Sequence, residues 1–159
     1  MINQLLLAII LTILPVSELR GGMPLAIDYA IKNNLTLLPI ILMIILFNML
    51  IVLFIFLFLD KFHSGLLKFK FYNKFYNLYL KRVRKKVDKF ESRHETMGML
   101  ALTLFVAIPF PTTGAWTGTF IAWLLDLERK ESIIAIMTGV LIAGVVMALA
   151  SLGFIKLFF

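Results

Sequence analysis

Cysteine is absent from the 159-residue chain, so it carries no disulfide framework, no thiolate zinc cluster and no thiol nucleophile. Histidine occurs only at His63 and His94, and neither falls in a metal-spacing pattern, so no metal is expected. No nucleophile stands beside a base in a catalytic motif, and no glycine-rich phosphate loop opens a helix. The chain is therefore expected not to be an enzyme and to use no cofactor. Charge is scarce too: Asp, Glu, Lys and Arg make up 16% of residues, against 61% hydrophobic and a mean hydropathy of +0.96. A soluble domain does not have this balance, which predicts an all-α integral membrane protein of one domain.

The positive charge is concentrated. Of the 16 Lys and Arg, 11 lie between Lys61 and Arg93, with apolar runs on either side. No nucleic-acid motif accompanies them, so no nucleic acid is expected as a partner. Within this stretch Phe69, Tyr72, Tyr76, Tyr79, Val83, Val87 and Phe90 recur at helical spacing, predicting a basic amphipathic helix over 61–96 in the membrane interface. The positive-inside rule makes this segment cytoplasmic in a multi-pass cell-membrane protein. The apolar N-terminus resembles a signal peptide, but Met-Ile-Asn-Gln lacks a basic start and Pro-Val-Ser-Glu-Leu-Arg is a poor cleavage site. It is expected to be retained.

Leu37 to Leu59 and Ser132 to Phe159 are long enough to cross a bilayer, which takes about 20 residues. The remaining apolar runs are too short. Leu5 to Leu14 ends at Pro15-Val-Ser-Glu-Leu-Arg-Gly-Gly-Met-Pro24, and Leu25 to Ile31 follows. Met97 to Ile108 ends at Pro109-Phe-Pro-Thr-Thr-Gly114, and Ala115 to Leu125 follows. Proline removes a donor and glycine adds backbone freedom, so each motif is expected to break a helix, the first across its whole length to Pro24. Two half-length helices joined at depth make a re-entrant hairpin, since irregular backbone survives there only inside protein or beside a water-filled cavity. An ordinary first span from Ile2 to Leu19 is the alternative.

Shifting the sequence by about 94 positions lays Pro15 on Pro109 and Gly21 on Ala115, so both halves read short, broken, short, long. A hairpin plus one crossing reverses the side on which the second half begins, which predicts an inverted repeat. The expected organisation is a hairpin at 1–34, a transmembrane helix at 35–60, the interfacial helix at 61–96, a second hairpin at 97–130 and a transmembrane helix at 131–159. With only two full crossings per chain, a homodimer is expected, its contact drawn from Gly139, Ala143, Gly144, Ala148, Ser151 and Gly153 of the last helix.

The motif Glu18-Leu-Arg-Gly-Gly-Met-Pro24, together with Pro109-Phe-Pro-Thr-Thr-Gly-Ala-Trp-Thr-Gly118, resembles the putative small multidrug export protein family over essentially the whole chain. That family is regarded as a distant relative of the DedA and VTT membrane proteins. The resemblance implies paired re-entrant hairpins and lipid flipping or scrambling, and the family name implies drug export. Thr112 and Gly114 stand where the DedA pattern carries an arginine.

Charged residues at membrane depth are costly and mark functional sites. The candidate site therefore comprises Glu18, Arg20, Gly21, Gly22 and Pro24 at the first break, with Pro109, Pro111, Thr112, Thr113, Gly114 and Thr117 at the second. Free backbone donors near Gly22 to Leu25 and near Ala115 to Gly118, the Arg20 guanidinium and the threonine hydroxyls suit an anion. The expected guest is a phospholipid, a lipid-linked phosphate or another organic anion, with Glu18 carrying a proton or pairing with Arg20. Asn48 reads as structural glue between helices and Asp28 as a solvated rim residue, while Asp126, Glu128 and Glu131 read as interfacial charges. A transporter or flippase-like protein follows, with a membrane scaffold or an exporter of cationic drugs as alternatives. Cysteine placed at Ser17 or Thr112 is expected to react with water-soluble thiol reagents if a transport cavity exists; protection of both from both sides favours the scaffold.

Overall fold

The computed structural model describes residues 3–66, 93–110 and 113–158. The expected interfacial helix over 61–96 falls largely outside them, as do Pro111 and Thr112. The described residues form six helices and no strand: α1 (Gln4–Ile13), α2 (Glu18–Lys32), α3 (Leu37–Leu66), α4 (Arg93–Ala107), α5 (Ala115–Leu124) and α6 (Arg129–Phe158). Two short helices followed by one long helix thus occur twice.

Local sequence sets the ends of α1. The Asn3 side chain accepts a hydrogen bond from the Leu5 amide at its start. At its end Leu14 turns extended, at φ −71° and ψ 139°, as expected of a residue before proline. The first break is shorter than the sequence motif implies. It closes within three residues of Leu14, and α2 runs as helix through Gly21, Gly22 and Pro24. The donors expected near Gly22 to Leu25 are therefore internal to a helix. Gly22 serves close approach here: a Cβ on it would lie 2.7 Å from the Ala8 carbonyl and collide with Thr12 Oγ1. Pro24 deletes only the one helical hydrogen bond that its own nitrogen would donate.

Each long helix contains a 26-residue stretch, Leu37–Phe62 and Arg129–Phe154, apolar enough to cross a membrane. At 1.5 Å per residue each stretch spans about 39 Å, more than the roughly 30 Å hydrocarbon core. The ten residues of α1 or of α5 reach only about 15 Å. On α3, Leu38, Leu42, Leu46, Leu50 and Leu57 are exposed, whereas Ile44, Asn48, Val52 and Ile55 on other faces are buried. An exposed leucine stripe of this length is stable against lipid and a liability in water.

The centre is built from both halves. α1 packs mainly on α2 and α4 mainly on α6, while α2 and α5 each lie against both long helices. The small residues of α6 work within the chain. A Cβ on Gly139 would lie 2.7 Å from the Thr103 carbonyl, one on Gly144 would lie 2.5 Å from Ile45 Cγ1, and Ala143 and Ala148 are buried. Of the three glycines expected to face a second chain, only Gly153 has nothing within 4 Å of the place a Cβ would take. Far from both breaks, Arg129 Nη2 lies 2.8 and 2.7 Å from the two Asp60 carboxylate oxygens, and its guanidinium carbon sits 4.3 Å from the Phe56 ring centroid. Trp123 Nε1 donates to the same carboxylate at 3.1 Å, joining α3, α5 and α6. Asp28, expected to be a solvated rim residue, keeps 37% of its side chain exposed, and it also accepts from Gln4 Nε2 and from Lys32 Nζ, each at 2.7 Å, tying the start of α1 to the end of α2.

Gly22→Ala is expected to destabilise the protein by about 1–3 kcal/mol through overpacking of α1 against α2, read as a lowered Tm in detergent. Gly153→Ala, which meets nothing, should leave Tm unchanged or raise it slightly, since glycine within a helix costs about 0.5–1 kcal/mol relative to alanine.

Candidate functional site

The end of α1 and the start of α2 create an accounting problem. The last carbonyls of a helix have no helical donor and must find one elsewhere when buried. In α1 each finds one: the Leu14 amide donates to Ile10 at 3.2 Å, Ser17 Oγ to Leu11 at 2.5 Å, Asn48 Nδ2 to Thr12 at 2.9 Å and Trp116 Nε1 to Ile13 at 2.8 Å. The donors come from the break itself, from α3 and from α5. The first break is thus clasped by side chains from both halves.

The reciprocal problem arises at the start of α5, whose first amides have no helical acceptor and form the positive end of its dipole. Glu18 meets it. Its Oε2 accepts from the Ala115 amide and its Oε1 from the Trp116 amide, both at 3.1 Å. A carboxylate from the first half therefore caps a helix of the second. Glu18 is 5% exposed and has φ 44°, a left-handed backbone that costs a non-glycine residue about 1–3 kcal/mol. The two charge-assisted hydrogen bonds hold it there. Gly114 makes the approach possible: its φ is 151°, which L side chains rarely adopt, and a Cβ on it would lie 2.7 Å from Glu18 Cδ.

Arg20 does not form an ion pair with Glu18. Its Nη1 donates to the Phe110 carbonyl in the second break, and its Nη2 donates to the Val16 carbonyl in the first at 3.2 Å. The expected pairing fails for a physical reason: both carboxylate oxygens are engaged by α5, and the guanidinium fork serves two turn carbonyls instead. Thr113 Oγ1 is likewise engaged within its own turn, 2.7 Å from the Ile108 carbonyl and 2.9 Å from that of Phe110, and accepts from the Phe110 amide at 3.2 Å.

Glu18, Arg20, Asn48, Pro109, Thr113 and Gly114 line a small cavity closed by apolar residues of α4 and α6. It has about 10 Å³ of water-sized space, room for about one water molecule and far too little for a lipid headgroup. Asn48 is fully buried, and its Oδ1 has no hydrogen-bond partner. The structure thus brings together five of the expected residues: Glu18, Arg20, Pro109, Thr113 and Gly114. Gly21 and Gly22 pack at the start of α2 against Ser17 and α1. Pro24 lines a different space one turn along, and half-buried Thr117 lies outside the cavity lining. Asn48 and Trp116 were not among the expected site residues. Asn48 carried a signal, being the only strongly polar residue of its span; Trp116 lay within the second motif with no feature to separate it from its neighbours.

The sequence profile of the family described as "Putative small multi-drug export protein" matches residues 18–146, beginning at Glu18 itself. The chain belongs to this family. No curated protein and no solved structure matches it. Family membership and the two long apolar helices together make this a membrane protein.

Glu18→Ala should leave two α5 amides, one buried and one half-buried, without an acceptor, costing about 1–3 kcal/mol. The specific readout is hydrogen exchange: the Ala115 and Trp116 amides should exchange much faster in the variant, while the amides in the middle of α3 stay protected.

Proposed function

We propose that the protein is a small proton-coupled transporter whose guest is an anionic lipid headgroup or another organic anion, taken up where the two breaks meet. The observation that carries this reading is the seat of Glu18. Two free amides of α5 with Arg20 beside them form an anion site, and here the anion is the protein's own carboxylate. One pair of amides cannot serve Glu18 and a phosphate or carboxylate at once. Arrival of the guest anion therefore accompanies protonation and release of Glu18, and its departure allows Glu18 to ionise and recap α5. Proton and substrate are coupled by exclusion.

The topology proposed with it is that of two re-entrant hairpins entering from opposite faces, with the stretch around 61–96 on the cytoplasmic side. Three features support it: the half-span length of α1 and α5, the contact between the two breaks, and the repeated order of short and long helices. Lipid translocation as the reaction class rests on the family's being regarded as a distant relative of the DedA and VTT proteins, from whose pattern the second break departs at Thr112 and Gly114. A homodimer belongs to the same proposal, because two full-length helices bury little surface alone. The family name favours a second reading, in which an amphipathic cation pairs with Glu18, the only carboxylate lining the cavity.

Reconstitution into liposomes separates these readings, with a fluorescent phospholipid and a cationic dye tested in parallel under an imposed pH gradient. The phospholipid is expected to move and the dye to stay. Glu18→Gln keeps one acceptor for α5, so it should fold and move lipid at a rate that no longer depends on the imposed pH gradient. Movement of the dye alone supports the cation reading, and movement of neither supports a scaffold.

A further inference from the structure

A second and larger space lies on the same seam as the closed cavity. Along α6, Val140 and Ala143 line the cavity, whereas Met147, Ala150, Ser151 and Phe154 line an open groove of about 550 Å³. These positions follow one another at intervals of three or four, so they form one face of α6. On α2, Arg20 lines the cavity, and Pro24 and Asp28 line the groove, again four residues apart. α2 and α6 pack together, so cavity and groove are successive parts of one channel-like seam. The step between them is four residues on each helix, about 6 Å of helical rise.

The chemistry of the two parts differs. The groove is almost wholly apolar, and its volume lies within the roughly 300–1,000 Å³ of small-molecule pockets. Its one charged lining residue, Asp28, is neutralised by Lys32 and also held by Gln4. An ion would find no solvation on the groove floor. Its neighbours Leu149 and Phe154 are exposed apolar residues, so its open side faces acyl chains in a membrane. The cavity, by contrast, offers a guanidinium and two helix-start amides. Met147, half-buried and with three rotatable bonds, can swing clear of the step, and Pro24 leaves α2 without one of its hydrogen bonds at the same level.

We infer that the α2–α6 seam is a lateral access path for a membrane amphiphile, whose hydrocarbon chain lies in the groove while its anionic head advances past Met147 and Pro24 to the Arg20 cavity. This rests on the anion reading of the cavity and narrows its guest from any organic anion to an acyl-chain lipid drawn from the bilayer. A water-soluble anion has no use for the groove.

Photolabelling of the full-length protein tests it, in vesicles containing phosphatidylglycerol or phosphatidylcholine with a diazirine in the acyl chain and adducts mapped by mass spectrometry. Phosphatidylglycerol adducts are expected to concentrate on 24–28 and 147–154, to exceed those from phosphatidylcholine, and to be lost in Ala150→Trp, which fills the groove from an exposed position. Met147→Phe, a smaller change, keeps the test valid if the tryptophan variant misfolds, and should reduce the same adducts. Adducts spread evenly over the outward leucines of α3 and α6 and unchanged in both variants overturn the proposal. Equal labelling by both lipids also overturns it, as does cross-linking between two copies through these residues. Labelling reads occupancy without transport: a labelled groove with no lipid movement rejects the transport reading alone, and lipid movement with an unlabelled groove rejects the access path alone.

Discussion

Two hydrogen bonds from the α5 amides to the Glu18 carboxylate hold the two halves of this protein together where neither can be continuous helix. A helix that starts within a membrane protein has unsatisfied donors, and one that stops there has unsatisfied acceptors. Each half supplies what the other lacks. Glu18 of the first half satisfies α5, and Trp116 of α5 satisfies the end of α1. Gly114 and the left-handed backbone at Glu18 are both consequences of bringing a carboxylate that close to a helix start.

The same arrangement explains why the cavity beside it is small. With the carboxylate seated, Arg20 spans the carbonyls of Val16 and Phe110, and what remains is room for a single water molecule. The Glu18 carboxylate itself occupies the two α5 amides. In the proposed transport cycle, opening the cavity means removing the negative charge of Glu18 or replacing it with another. The groove on the α2–α6 seam lies one helical turn away and has the opposite character.

Much of the architecture was legible in the sequence, because membrane thickness converts directly into residue count. Two long apolar runs became α3 and α6, and Pro15 and Pro109 marked the two breaks. The extent of the first break was misread. Gly21, Gly22 and Pro24 together resemble a turn, yet α2 is helical through them: Gly22 answers to the proximity of Ala8 and Thr12, a tertiary fact with no local signature. Glu18 and Arg20 stood out as ions in apolar surroundings, but their partners did not. Both bind backbone groups of a segment about 90 residues away, and backbone donors and acceptors are the same at every position. Likewise the small residues of α6 suggested a surface for a second chain, whereas Gly139 and Gly144 are taken up by α4 and α3 of the same chain.

Cross-linking across the two breaks measures their meeting most directly. Val16 and Phe110 are both exposed at the tips, and their carbonyls share one guanidinium. A double variant with cysteine at both positions, oxidised in native membranes, should form a disulfide within one chain. Failure to form that link, with both thiols open to an impermeant reagent, would contradict the contact of the two breaks at membrane depth.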